Sequence, residues 1–254
     1  SYRALFWFTI FLKLMPNKSF SLNSYKKINS FNKTIEVDSD KSLSIRSFLI
    51  GSISQNISRA SNVLESEDVF STINCLKKLG VKIKKIKPKN YLIYGKGLGS
   101  LITSKNLSLN FGNSGTLARL LIGILATNPN IEIKIQGDGS LNKRNMKKLI
   151  NLMNKFGASF LPEGKFNFPL KMISSEMPIG FTYKAGVSAQ LKSAVILAGL
   201  NSYGNTKIIE VKKSRDHTEN MLLKNTNVIK IKTGKTKIIK IFGKKYLNNM
   251  QIKV

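Results

Sequence analysis

Stretches with apolar residues three and four apart take turns along this chain with stretches in which every second residue is apolar, so helices and strands alternate. Three stretches are apolar almost all round: SFLIGSI, LARLLIGILA and SAVILAGL. A helix of that kind has no solvent face and is expected to be buried. Each is followed by a β-like stretch, such as IEIKIQG or TKIIEVKKS, and then by a short polar loop. A second, one-sided helix comes next, over Val69–Leu79, Met146–Phe156 or His217–Lys224, and a strand such as VKIKKIK or NVIKIKTG closes the set. The copies open at Lys41, Asn113 and Ser188, 72 and 75 residues apart. Self-similarity at near-constant spacing marks repeated units. The expected fold class is α/β, with three repeated βαβαββ units in a ring around buried parallel helices and the second helices outside.

Parallel first helices would place their three N-termini on one face. Helix N-termini carry unpaired N–H groups and a partial positive charge, so three together favour an anion. Ser42, Ser114 with Thr116, and Ser188 fall at the expected caps. A basic residue follows one turn in: Arg46, Arg119 and Lys192. Gly112 and Gly115 bracket Asn113, which permits close backbone approach to a ligand. Arg144 and Arg215 stand at the entrances of second helices. The pattern predicts a site for a small, multiply anionic molecule carrying phosphate.

Charge sharpens this picture. The 254 residues carry 42 Lys+Arg against 13 Asp+Glu, a formal net charge of +29. With 42% hydrophobic residues the chain is no disordered polycation. Lysine is spread everywhere, whereas there are only six arginines: Arg3, Arg46, Arg59, Arg119, Arg144 and Arg215. Arginine offers a planar fork for phosphate and carboxylate that lysine lacks, and four of the six lie at helix entrances on the expected face. The competing reading of the charge is a lysine-rich nucleic-acid or anionic-surface binder, but no interleaved aromatics or recognition motif accompany it. A single cysteine, Cys75, excludes a disulfide framework and fits a reducing compartment; its place on an apolar helix face reads as core. The apolar run Ala4–Leu12 is too short to span a bilayer. Residues 1–34 read as an N-terminal extension, of which 1–14 are non-native sequence ahead of Met15, a native extension or a targeting segment. At the other end Val254 closes a strand-like run without a cap, which reads as a fragment.

In order and spacing, DKSLSIRSFL, LESEDVFSTINCLKKLGV, FGNSGTLARLL, GDGSLNKRNM, SAQLKSAVILAGLN and SRDHTENML resemble the 3-phosphoshikimate 1-carboxyvinyltransferase (5-enolpyruvylshikimate-3-phosphate synthase) family, in its class II-like form, from about Ile35 to Val254. The resemblance implies an inside-out α/β barrel as one domain of two, with residues 35–225 binding shikimate 3-phosphate and 226–254 beginning the crossover to a second domain. It implies a cytoplasmic enzyme, monomeric when full length, in the route to chorismate and aromatic amino acids. The reaction moves the enolpyruvyl group of phosphoenolpyruvate to the 5-hydroxyl of shikimate 3-phosphate, through a tetrahedral intermediate that eliminates phosphate. No metal, organic cofactor, membrane or specific nucleic acid is implied. Lys41 is the expected catalytic residue, touching both substrates. Ser42, Arg46, Ser188, Ala189, Gln190 and Arg215 are expected on shikimate 3-phosphate. Asn113, Gly115, Thr116, Arg144 and Gln190 are expected on phosphoenolpyruvate. The family's general base and catalytic glutamate belong to its second domain, so the fragment is expected to be inactive alone. His217, the only histidine, is expected to be structural. Three departures stand out: Asn145 replaces a proline and is expected to loosen its loop, LLKNTNV lacks a glycine helix end, and Ser39 replaces a glycine.

Overall fold

The nearly all-apolar stretches become the interior. The computed structural model describes Thr34, residues 37–104 and residues 106–254, and the folded body spans Asp38–Val254. The extension expected over residues 1–34 falls almost wholly outside the described residues. The first unit runs α1 (Lys41–Ile53), β1 (Ile57–Ser61), α2 (Glu67–Lys78), β2 (Lys82–Lys87) and β3 (Asn90–Tyr94). The second runs β4 (Ser108–Asn110), α3 (Gly115–Ala126), β5 (Glu132–Gln136), the single turn α4 (Gly139–Asn142), α5 (Lys147–Asn154), β6 (Ser159–Leu161) and β7 (Leu170–Ile173). The third runs β8 (Thr182–Ala185), α6 (Ala189–Leu200), β9 (Asn205–Glu210), α7 (His217–Leu222), β10 (Ile229–Lys232) and β11 (Lys237–Phe242), and β12 (Gln251–Lys253) comes last.

These strands form three four-stranded sheets of one plan, ordered β4-β5-β7-β6, β8-β9-β11-β10 and β12-β1-β3-β2. The leading strand lies parallel to its neighbour and the other pairings are antiparallel. In units two and three the leading strand precedes the buried helix. In unit one that place is taken by β12, parallel to β1 with Arg59 opposite Gln251, and the Val254 N–H donates to the Ser61 carbonyl. Residues 226–254, expected to begin a crossover, are therefore divided between two sheets. TKIIKIF alternates and pairs residue for residue with β9, from Lys237 opposite Glu210 to Phe242 opposite Asn205, which seats β10 and β11 in the third sheet.

Inside the sheets lie α1, α3 and α6. Every residue from Ser44 to Ile53 and from Leu191 to Leu200 is buried, as is all of α3 except Arg119. The helices α3 and α6 are parallel: Thr116 meets Gln190 at their N-terminal ends and Thr127 meets Asn201 at their C-terminal ends. A Cβ on Gly123 would lie 2.6 Å from the Ala194 carbonyl oxygen, so only glycine permits this approach. The second helices bury one stripe each, such as Val69, Ile73 and Leu76 in α2 or Leu149, Ile150 and Met153 in α5. Cys75 is core: its Sγ donates to the Asn110 carbonyl at 3.3 Å, and burial pushes the thiol up to about 12. The third second-helix, α7, has six residues against twelve in α2 and stops at Leu222, inside the LLKNTNV stretch. No helix among the described residues is long and apolar enough to cross a membrane.

Candidate functional site

The helix caps decide which amides are left over. The α3 amide of Leu117 donates to Ser114 Oγ at 3.2 Å, and the α6 amide of Leu191 donates to Ser188 Oγ at 3.3 Å. For α1 the cap is Asp40, whose carboxylate accepts the Leu43 N–H at 2.7 Å; Ser42, expected at the cap, sits within the first turn. An extended residue with a short acceptor side chain is what the cap position needs, and Asp40 is the residue placed to supply it. The amides of Gly115, Thr116, Ala189 and Gln190 form no hydrogen bond among the described residues. They are the orphan donors of two parallel helices, side by side.

Gly115 stands between two guanidinium groups. A Cβ there would lie 2.7 Å from Arg119 Nη1 and 2.9 Å from Arg144 Nη1, so a side chain must displace both. Arg144 Nη2 donates to Asn113 Oδ1 at 2.7 Å. Arg119 Nη1 donates to the Gly115 carbonyl and to Gln190 Oε1, both at 3.0 Å, and Gln190 Nε2 donates to Thr116 Oγ1 at 2.8 Å. Asn113, Gly115, Thr116, Arg144 and Gln190 are thus gathered as one cluster, with Arg119 at its centre. Burial, then the neighbouring Arg144 charge, lowers the Arg119 pKa, as expected where two like charges are held together. A cavity of about 600 Å³ opens beside it, lined by Arg119, Lys147, Lys148, Tyr183, Ser188 and Gln190. Burial, partly opposed by the Gly186 backbone, pushes the Tyr183 phenol up, so it presents an O–H donor at neutral pH.

Asn145 follows Arg144 in this loop. Its Oδ1 accepts the Lys147 N–H at 2.8 Å and so ties the loop to the first turn of α5.

Arg46 is held differently. It is 3% exposed, with Nε donating to Thr218 Oγ1 at 2.8 Å, Nη1 to the Ser42 carbonyl at 3.1 Å and Nη2 to Ser193 Oγ at 3.2 Å. A guanidinium has five N–H donors, so two form no hydrogen bond among the described residues. Burial lowers its pKa to about 10, with Glu219 and Asp40 acting to raise it and Arg215 to lower it further, so it stays cationic at neutral pH. Arg215 itself is exposed, in the loop between β9 and α7. Lys41 is half-exposed and pairs with Asp68 at 3.0 Å.

Lys192 departs from the pattern that suggested it. It is fully buried, and its Nζ lies 2.7 Å from both Glu210 Oε1 and Glu219 Oε1, so it does not reach the open face. Spacing along α6 made it equivalent to Arg46 and Arg119, but two carboxylates nine residues apart claim it. Ser193 and Thr218, which hold Arg46, were not anticipated. No local pattern in the sequence marks them: the hydroxyls meet Arg46 only because α6 and α7 pack together.

Parallel buried helices inside three matching sheets, with open helix amides flanked by arginines, define an α/β domain with a positively polarised face that favours an anion. The family model for EPSP synthase (3-phosphoshikimate 1-carboxyvinyltransferase) matches residues 25–254, and the chain belongs to this family. Curated relatives bearing that enzyme name include those of Thermodesulfovibrio yellowstonii, 41% identical over 80% of this chain and 47% of the relative, and Desulforamulus reducens, 38% identical over 92% and 53%. The protein of Paramagnetospirillum magneticum is 39% identical over 73% of this chain and 42% of its own length. The EPSP synthase structure from Acinetobacter baumannii superposes with a TM-score of 0.78 at 33% identity, covering 87% of this chain and 49% of that one. The chain spans about half the length of the curated relatives it matches.

Proposed function

We propose that this chain forms the shikimate 3-phosphate half of an enolpyruvyl-transfer site, serving transfer from phosphoenolpyruvate to the substrate 5-hydroxyl with release of phosphate. The observation that carries it is the cluster of open α3 and α6 amides edged by Arg119 and Arg144, with Arg46 buried nearby and two of its N–H donors unspent. Arg46, Ser42, Ser188, Ala189, Gln190 and Arg215 hold shikimate 3-phosphate. Asn113, Gly115, Thr116 and Arg144 hold phosphoenolpyruvate, and Gln190, bonded to both α3 and Arg119, adjoins the two. Lys41 exchanges Asp68 for the substrates. The developing negative charge on the departing phosphate meets fixed donors that need no reorganisation.

The carboxylates near this face are already engaged. Asp40 and Asp138 cap helices, Asp68 pairs with Lys41, and Glu210 and Glu219 surround Lys192. We therefore assign the described residues to binding and orienting the substrates rather than to taking the 5-hydroxyl proton. Calorimetric titration with shikimate 3-phosphate tests the proposal: binding is expected, weakened strongly in Arg46→Ala and less in Arg215→Ala. Absence of binding, together with tight salt-dependent duplex DNA binding, would replace it with the polycation reading.

A further inference from the structure

We infer that Lys192 is a positioning residue for the substrate-binding arginines, acting through Glu210 and Glu219 and never touching substrate. This rests on the proposed substrate-binding roles of Arg46 and Arg215. Glu210 ends β9 and Glu219 lies within α7, and the segment between them carries Arg215, Asp216 and His217. Both carboxylates reach the same buried ammonium at 2.7 Å, so Lys192 clips the two ends of that segment together. The Glu210 end is tied further, since Oε1 also accepts from the Ser214 amide at 2.9 Å and the Ser214 hydroxyl at 2.7 Å. Ser214 immediately precedes Arg215, so the clip fixes where the exposed guanidinium begins.

The Glu219 end reaches Arg46. Lys192 and Ser193 are neighbours on α6, and Thr218 and Glu219 are neighbours on α7. The two helices are therefore joined twice, by the Lys192–Glu219 pair and by the Thr218–Ser193 hydroxyl bond at 2.8 Å. Arg46 donates to both of those hydroxyls. The charges also require Lys192. Glu210 Oε2 and both Glu219 oxygens are buried without a hydrogen-bond partner, and apart from Lys192 the cations acting on them are Lys237, at 4.0 Å from Glu210 and 3.7 Å from Glu219, and Arg46, whose charge Glu219 helps sustain. Removing one partner of a buried ion pair leaves the other charge uncompensated. Without Lys192, Glu219 keeps only Lys237 at 3.7 Å and the more distant Arg46, and the joint between α6 and α7 that seats Arg46 loses its ionic half, so the guanidinium is no longer held in place for the substrate.

The test is Lys192→Met in the full chain, with two readouts. The first is the dissociation constant for shikimate 3-phosphate by calorimetry. The second is the Arg46 Nε–H signal in arginine-labelled protein without ligand, assigned by its loss in Arg46→Lys. A tenfold or greater loss of affinity is expected, with a shifted and faster-exchanging Arg46 signal and a retained circular-dichroism spectrum. A folded Lys192→Met protein within twofold of the parent in affinity, its Arg46 signal unmoved, would overturn the inference. If Lys192→Met does not fold, Ser214→Ala replaces it. That substitution removes only the hydroxyl tie to Glu210 in a half-buried loop, and about a threefold loss is expected; an unchanged affinity overturns the inference. Failure of the parent itself to bind would refute the substrate assignment instead, and the ligand-free Arg46 signal would still decide the role of Lys192.

Discussion

The two ends of the buried helices are both basic, both open to cavities of similar size, and chemically opposite. At the N-terminal end a space of about 600 Å³ adjoins Arg119, Lys147 and Lys148; at the C-terminal end one of about 560 Å³ adjoins Lys96, Lys244 and Lys245. At the C-terminal end the helix carbonyls are consumed. The Lys96 and Gly97 amides donate to Ser52 and Ser54, the Ser175 amide to Ala126 and the Lys244 amide to Leu200. The lysines there offset the negative pole of the helices, and Lys244 Nζ also donates to Asn201 Oδ1. At the N-terminal end the amides of Gly115, Thr116, Ala189 and Gln190 stay open, and the cations beside them add to a positive pole. Positive side chains alone do not make an anion site; what matters is whether the backbone beneath them is spent.

Arg46→Ala should break the comparison most. Charge-assisted bonds contribute about 1.5–3 kcal/mol each, so shikimate 3-phosphate affinity should fall roughly 100-fold by calorimetry. The fold should survive, since Thr218 and Ser193 keep their bond to each other. Gly115→Ala comes next: its Cβ must push Arg119 and Arg144 aside, and phosphoenolpyruvate, titrated into the shikimate 3-phosphate complex, should bind about 10-fold more weakly with melting unchanged. Arg215→Ala removes an exposed guanidinium, so stability should move by less than ~0.5 kcal/mol while shikimate 3-phosphate affinity drops severalfold, more at low salt. Lys244→Met, at the other end, should leave both affinities within twofold and cost about 0.5 kcal/mol of stability in a denaturant melt.

Much of this was readable from the chain because the units share one grammar. Three near-all-apolar stretches at near-constant spacing identified the central helices, and the arginine positions located the open face. What escaped depends on distance along the chain. Nothing in Gln251–Lys253 says that it pairs with a strand 192 residues earlier, because a short edge strand carries its register in its partner. Asp40 and Ser42 are equally good capping residues by type, and only backbone conformation makes Asp40 the cap. Lys192 shared the spacing of Arg46 and Arg119, but its carboxylate partners lie on β9 and α7, beyond any local pattern.

The most direct test of the central claim is an amide chemical-shift titration of the labelled chain with shikimate 3-phosphate. Gly115, Thr116, Ala189, Gln190 and Thr218 should shift together and saturate with one dissociation constant, while Lys96, Gly97 and Lys244 stay in place. Shifts confined to the Lys96–Lys244 end, or spread over the lysine surface without saturation, would contradict it.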